Sequence, residues 1–319
     1  MELYELSAIL WAIGVASAAV LSLGGAFSDR LDTLTHFAPL YLVGGLVAIA
    51  LQLVRGKQRG RWGVIMGAGA VLISTALMAP DVLARLTAKT AAPGRQTLKI
   101  IQLNVWSKNV DARGTAAWIA RQRADVVVLE EVAGSAEAVP VLLRRDYAYR
   151  TLAPTSFDIM TVILSRAPPY DSGAWPSPDT FGRHSGAWAS FGDPATGYTV
   201  VGAHALWPAP AGRQQIQTAL LASRLRDFNR DTLILAGDFN ATPWSYSLRR
   251  QDALFGLIRR SHALFSWSVR PYSRYRFSTP IPLMPIDHVY AGAAWKTVSV
   301  TTGPKLGSDH LPIIAVLTR

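Results

Sequence analysis

Along the chain, the pattern of apolar and polar positions changes character once, near residue 97. Before that point three stretches, 7–27, 36–54 and 62–80, contain no Asp, Glu, Lys or Arg. About 20 apolar residues cross a bilayer core as a helix, so the pattern predicts a transmembrane region over 1–80 with three spanning helices. Three such runs in succession are not what buried helices of a water-soluble domain produce. In the third, Gly63 and Gly67 form a GxxxG pair, which fits either close helix packing or simple tolerance of glycine in a membrane helix. Residues 81–97, punctuated by Pro93 and Gly94, read as a linker.

Beyond it, apolar runs of strand length recur at 98–103, 126–129, 161–164, 198–203, 233–236, 286–290 and 312–317, rich in Val and Ile and bounded by Gly, Asp, Asn or Pro. Between them lie helical patterns at 115–122 and 213–228; in the latter Ile216, Leu220, Leu221 and Leu225 recur at helical spacing. This alternation predicts a mixed α/β domain over 98–319, with strands buried on at least one face.

Charge sharpens the topology. Half of the 319 residues are hydrophobic, yet the net charge is +11. From residue 91 onward 25 Lys and Arg face 16 Asp and Glu, a net of +9 for the non-membrane part, which favours anionic partners such as nucleic acid, lipid headgroups or phosphate esters. The connection 55–61 carries Arg55, Lys57, Arg59 and Arg61, whereas 28–35 carries Asp29, Arg30 and Asp32, a net of −1. Positive loops stay cytoplasmic. The expectation is therefore a multi-pass protein of a bacterial inner membrane, its N-terminus cytoplasmic and its large domain periplasmic or extracellular. The start, MELYEL, is acidic and unlike a cleavable signal. With no cysteine, no disulfide is required.

The candidate chemistry sits where strands end. IIQLNVW presents Asn104, VVVLEEV presents Glu130 and Glu131, VVGAHALWP presents His204, LILAGDFN presents Asp238 and Asn240, PIDHVY presents Asp287 and His288, and GSDHLPI presents Asp309 and His310. Singly, each reads as a solvated end, a turn or a helix cap. Six strand ends so furnished in one domain are costly to bury unless they pair or bind something. Strand alternation puts 238 and 240 on one face with Phe239 packed behind, and puts 127, 129 and 131 opposite 126, 128 and 130, so that Glu130 is expected to point away from a site holding Glu131. Oxygen donors of this kind suit Mg²⁺, with Mn²⁺ as the alternative, and a phosphate. The absence of Cys and of HExxH leaves zinc little support, and Walker, GxGxxG and GxSxG motifs are absent as well.

In this order, the motifs resemble the endonuclease/exonuclease/phosphatase superfamily, the DNase I-like fold, over roughly 97–318: an Asn after the first strand, LEE, the ILSR segment at 163–166, a strand-end His, GDFN, IDH and SDH. The resemblance implies a four-layer α/β sandwich and metal-dependent phosphoester hydrolysis. It implies that Asn104 and Glu131 hold the metal, with Asp309 assisting. Asp238 would activate the attacking water, and Asn240 would bind phosphate or orient that water. His204 and His310 would contact phosphate oxygens, His310 steadied by Asp287. Glu130 stands where the family usually has Gln, and His288 where many members have an aromatic; packing is the favoured role for His288.

The substrate is less legible. The segment 268–278 interleaves Arg270, Arg274 and Arg276 with Tyr272, Tyr275 and Phe277; arginine with aromatics suits a nucleic-acid strand or an anionic membrane interface, an ordinary basic loop is the equal alternative, and on the first reading Arg270, Tyr272, Arg274 and Arg276 are candidates for substrate contact. Membrane anchoring favours a phosphodiesterase acting on a lipid or other envelope phosphodiester. An exported tethered nuclease is the alternative, and a tethered, non-catalytic binding module is a further one.

Overall fold

A computed structural model of the chain describes residues 3–54, 61–153, 160–175, 186–270 and 278–319, with the side chains of 3–5 left aside. It contains two compact units. The first comprises Met1–Thr87, Pro208–Gly212 and Ala241–Arg250, and the second Ala88–Trp207, Arg213–Asn240 and Gln251–Arg319.

The first unit is helical: α1 (Leu3–Leu23), α2 (Asp29–Thr35), α3 (Ala38–Val54) and α4 (Arg61–Leu86). By length and composition, Leu6–Ala26 and Arg61–Leu86 suffice to cross a membrane. A third candidate is the pair α2 and α3, bent by 59° at their junction. At 17 residues, α3 rises about 26 Å, a little less than the ~30 Å of a bilayer core. Leu10, Val20, Leu46 and Leu72 are each more than half exposed, an outward apolar face of the kind lipid covers. Gly67 has a packing role: a Cβ there would come within 2.8 Å of the carbonyl oxygen of Gly45, and one on Gly45 within 2.7 Å of that of Gly67, so α3 and α4 cross with their backbones in contact. One boundary differs from expectation. The helix predicted to end at Pro80 runs through it to Leu86, which shortens the linker.

The second unit is built on two six-stranded sheets. The order in one is β11-β12-β1-β2-β4-β3 and in the other β5-β6-β7-β8-β10-β9. The strands are β1 (Thr97–Asn104), β2 (Val126–Val132), β3 (Tyr149–Ala153), β4 (Met160–Ser165), β5 (Asp171–Trp175), β6 (Gly186–Phe191), β7 (Tyr198–His204), β8 (Leu233–Asp238), β9 (Ile258–Arg259), β10 (Asp287–Ala291), β11 (Lys296–Thr302) and β12 (Ile313–Thr318). Alternate residues of both sheets, among them Ile100, Val128, Val200, Ile234, Val289 and Ala315, share one buried cluster, so the sheets pack face to face. The other faces of β1 and β2 pack Ile101, Leu103, Val127 and Leu129 against Trp118 and Ile119 of α5 (Ala112–Gln122) and Val139 of α6 (Ala138–Leu142). The remaining helices are α7 (Arg213–Arg224) and α8 (Tyr246–Phe255).

Each sheet contains one parallel pair, β1 with β2 and β7 with β8. The C-terminal ends of these pairs carry Asn104, Glu131, His204 and Asp238, and Asp287 lies directly opposite Asp238 in the β8–β10 register. A Cβ at Gly237 would collide with the carbonyl oxygen of Ala203. Glycine thus lets β7 and β8 approach where their last residues, His204 and Asp238, pair.

Candidate active site

Asp238 is the hub of the strand-end cluster. Its Oδ2 accepts from Asn104 Nδ2 at 3.0 Å and lies 3.8 Å from Nε2 of His204 and 3.7 Å from Nε2 of His310. Its Oδ1 accepts the backbone N–H of Asn240 at 2.9 Å. Asn240 sits in the left-handed region at φ 48°, and its Nδ2 donates to the carbonyl oxygen of Ala205 at 2.9 Å. Phe239 between them is buried against Phe255 and Tyr290. His310 Nδ1 meets Asp287 Oδ2 at 2.7 Å with both residues buried. Glu131 Oε1 lies 3.8 Å from His204 Nε2, and Asp309 Oδ1 4.0 Å from His310 Nε2.

These distances set the electrostatics. Burial, then the charge of Asp287, pushes the Asp238 carboxyl up to about 6, against the pull of His310 and His204. Burial alone would depress His310, but Asp287 and Asp238 lift it well above the usual histidine value. Asp287 moves the other way: burial would raise it, and its His310 partner holds it low. The site therefore contains an ion pair, Asp287 with protonated His310, beside a carboxyl that burial holds well above its ordinary range. Burial and then the charge of Asp287 raise Glu130, and burial raises Asp309 with a contribution from Glu131.

Three carboxyl groups are held above their ordinary range, first by burial and then by the charge of neighbouring carboxyl groups, and a divalent cation would favour their charged forms. The ligand atoms of Asp238, Asp287 and His310 lie within 4.8 Å of one another. However, His310 Nδ1 is already engaged by Asp287, which leaves that trio better suited to hydrogen bonding than to coordination. Glu131 and Asp309 retain side-chain exposures of 24% and 16%, and with the side-chain oxygen of Asn104, which accepts the Trp106 N–H at 2.9 Å and keeps a second lone pair, they offer an all-oxygen set fitting a hard cation.

One expectation is overturned. Glu130 does not point away: it is fully buried, and its Oε2 accepts from Gln102 Nε2 at 3.0 Å, while the same amide donates to Asp287 Oδ1 at 2.7 Å. Alternation puts Glu130 on the inter-sheet face with Gln102. Glu131 joins the same cluster because it is left-handed, φ 54°, at a register break between Leu129 and Val132. His288 packs, buried against Phe239 and Tyr290, with Nδ1 3.3 Å from Ser261 Oγ. Arg270 donates to the carbonyl oxygen of Leu306 at 2.7 Å, and it feels the charge of Asp309. Tyr272, Arg274 and Arg276 lie outside the described residues.

Four residues escaped the sequence reading. Gln102 bridges Glu130 and Asp287. Gln214, buried on α7, donates to the carbonyl oxygens of Leu206 at 2.8 Å and Phe239 at 2.9 Å, tying the segment after His204 to the turn after Asp238. Ser308 Oγ donates to the backbone carbonyl oxygen of Asn104 at 2.6 Å and accepts from the backbone N–H of His310 at 3.0 Å. Trp267 Nε1 donates to Asp309 Oδ2 at 3.3 Å. Only Gln102 carried a signal, as an amide within the apolar run IIQL, two positions before Asn104 and so on the same face of the strand.

The model of the endonuclease/exonuclease/phosphatase family matches residues 101–310. Among solved structures, an endonuclease/exonuclease/phosphatase from Beutenbergia cavernae is similar at 21% identity, covering 70% of this chain and 72% of that one, with a TM-score of 0.53. Sphingomyelinase C from Streptomyces griseocarneus is similar at 19% identity over 70% of this chain and all (100%) of its own, TM-score 0.53. D. rerio TDP2, in complex with single-strand DNA product, is similar at 16% identity over 70% and 100%, TM-score 0.55. No curated protein matches the chain in sequence.

Proposed function

The chain belongs to the endonuclease/exonuclease/phosphatase family of phosphoric ester hydrolases, and on that premise we propose that it is a membrane-anchored phosphodiesterase acting on a lipid or other envelope phosphodiester. The observation carrying this reading is Asp238, a buried carboxylate with a pKa near 6 set between two imidazoles. It is placed to take the proton of an attacking water. His310, kept charged by Asp287, and His204 face the same carboxylate oxygen and would donate to phosphate oxygens as charge develops. Asn240 orients the phosphate or the water. Asn104 and Glu131, with Asp309, would hold Mg²⁺ or Mn²⁺. That ion supplies charge neutralisation and Lewis acidity when bound; phosphoryl transfer needs these, with positioning, more than covalent chemistry.

Anchoring rests on the apolar helices, and three crossings are favoured over two by hydrogen bonds within the helical unit. Asp32 accepts the N–H groups of Tyr246 and Ser247, so residues 29–36 and 241–250 share one side of the bilayer. That requires an even number of crossings between them, α3 and α4 together. With the basic 55–61 loop inside, the N-terminus is cytoplasmic and the catalytic domain lies outside. A tethered enzyme meets its own bilayer at high local concentration, and a sphingomyelinase is among the similar structures; together these favour a lipid phosphodiester. The net charge of +9 beyond residue 90 and the likeness to a DNA-bound TDP2 keep an exported nuclease as the second reading. Parallel Mg²⁺-dependent assays of the full chain on phospholipid vesicles, single-stranded DNA and inositol phosphates decide between them. Turnover of DNA alone would reject the lipid reading.

A further inference from the structure

Helix α7 turns amides inward and an aliphatic side chain outward. Gln214 and Gln217 are each 4% exposed, while Ile216 between them is 55% exposed. Packing alone fills the inward face of a helix with apolar groups, and a buried amide is costly unless its hydrogen bonds are made. Here they are made to the two loops that leave the parallel pair β7 and β8, just past His204 and Asp238.

Gln214 Nε2 donates to the carbonyl oxygens of Leu206 at 2.8 Å and Phe239 at 2.9 Å, and lies 3.4 Å from that of Asn240. The Phe239 carbonyl is one end of a planar peptide group whose other end, the N–H of Asn240, donates to Asp238 Oδ1 at 2.9 Å. A single peptide thus connects the two side chains: Gln214 holds its oxygen and Asp238 takes its hydrogen. Asn240, which follows that peptide, stands at φ 48°, a left-handed conformation that a non-glycine residue keeps only where its surroundings enforce it. The two loops are also tied to each other, through Asn240 Nδ2 on the Ala205 carbonyl and the Ala205 N–H on the Asp238 carbonyl. Gln217, three positions on and so on the same face of α7, accepts the Leu206 N–H at 2.9 Å; among the described residues its amide bonds to the first loop only.

We propose that Gln214 is a positioning residue for the catalytic base, orienting the Asp238 carboxylate through the Phe239–Asn240 peptide. This rests on the phosphodiesterase reading and deepens it, by assigning to α7 the aim of the group that takes the proton from water. Loss of the amide leaves two carbonyl oxygens without their buried donor and the peptide free to rotate. A displacement of about 1 Å at a reacting group costs up to about a hundredfold in rate.

The test compares Gln214→Met, which keeps the side-chain length and loses both N–H groups, with Gln217→Met on the same helix face. The full chain in lipid nanodiscs is assayed on bis-p-nitrophenyl phosphate with Mg²⁺, and hydrogen exchange is followed at the Asn240 amide. Gln214→Met is expected to lower kcat about tenfold or more with KM within about twofold, and to quicken exchange at Asn240. Gln217→Met, of equal burial, should keep kcat within about threefold and Asn240 exchange as in wild type. Gln214→His, whose ring N–H can meet one of the two carbonyls, should fall between Gln214→Met and wild type. Unchanged kcat in Gln214→Met overturns the proposal, as does an equal fall in Gln217→Met, which would mark a general loosening of the helix. If Gln214→Met does not fold, Gln214→Asn, which draws the amide back by about 1.5 Å, takes its place under the same criteria. If the wild-type chain does not turn over the diester, the phosphodiesterase reading is what has failed, and exchange at Asn240 decides the positioning role unaided.

Discussion

Asp287→Asn removes one charge and almost no volume from the centre of the site. In the native protein Asp287 Oδ2 lies 2.7 Å from His310 Nδ1, and Asp238 Oδ2 3.7 Å from Nε2. At an effective dielectric of about 20, unit charges at those separations attract by about 6 and about 4.5 kcal/mol. Asp287 is thus the larger of the two attractions opposing the burial that disfavours imidazolium. Without it, His310 loses its proton at lower pH. Loss of one charged donor to a developing oxyanion costs about 10²–10³ in kcat, and that is the fall expected near pH 7. The pH profile gives the sign. Activity requires Asp238 unprotonated and His310 protonated, so it rises through the Asp238 pKa and falls through that of His310. Asp287 raises both groups, so Asn at 287 slides both limbs of the bell towards acid. The assay is kcat/KM for a diester across about pH 5–9 with saturating Mg²⁺. An alkaline limb that stays in place, or a rate near pH 7 within a few-fold of wild type, would refute the coupling.

Metal binding should depend on pH through the same carboxylate. Asp238 is raised from 3.8 to about 6, so the folded state holds its proton across that window and stability falls as pH rises through it; Mg²⁺ should therefore raise the Tm more at about pH 7.5 than at about pH 5, and equal shifts would contradict this. Gly237→Ala should destabilise the second unit by about 3 kcal/mol, since the new methyl meets the Ala203 carbonyl; urea denaturation reads it, and a change below about 0.5 kcal/mol would reject the close approach. The chain has no cysteine, so single substitutions report topology: in intact cells a membrane-impermeant maleimide should label Lys89→Cys and spare Lys57→Cys. Labelling of both, or of Lys57→Cys alone, contradicts the three-span orientation.

Much of the fold was legible because it is local. Strands β1, β2, β4, β7, β8, β10 and β12 are mainly apolar runs, central enough to be largely buried; β1, β2, β7 and β8 end in polar chemistry, and β10 and β12 begin at or just after it. Of the strands the pattern missed, β3 and β5 are mostly exposed or half-buried, β9 has two residues, and β11 is largely half-buried. By contrast β6 is buried and lies inside its sheet, but its sequence GAWASF is too rich in small residues to read as a strand. The site's polar residues were legible for the same reason, being strand ends. What alternation alone misjudged is Glu130, because a left-handed Glu131 at a bulge brings consecutive residues to one cluster, and nothing in the string LEEV announces a bulge. Gln214, Ser308 and Trp267 matter through partners 25, 204 and 42 residues away, and Asp32 through partners more than 200 away. Composition carries no trace of pairings at that range.

The most direct test of the central claim is hydrolysis of bis-p-nitrophenyl phosphate by the purified full chain, with Mg²⁺ and again after chelation, alongside Glu131→Ala. Turnover that appears with Mg²⁺, vanishes with the chelator, and is abolished in a Glu131→Ala protein of unchanged fold is the predicted result. Turnover indifferent to metal, or a Glu131→Ala protein as active as wild type, would contradict it.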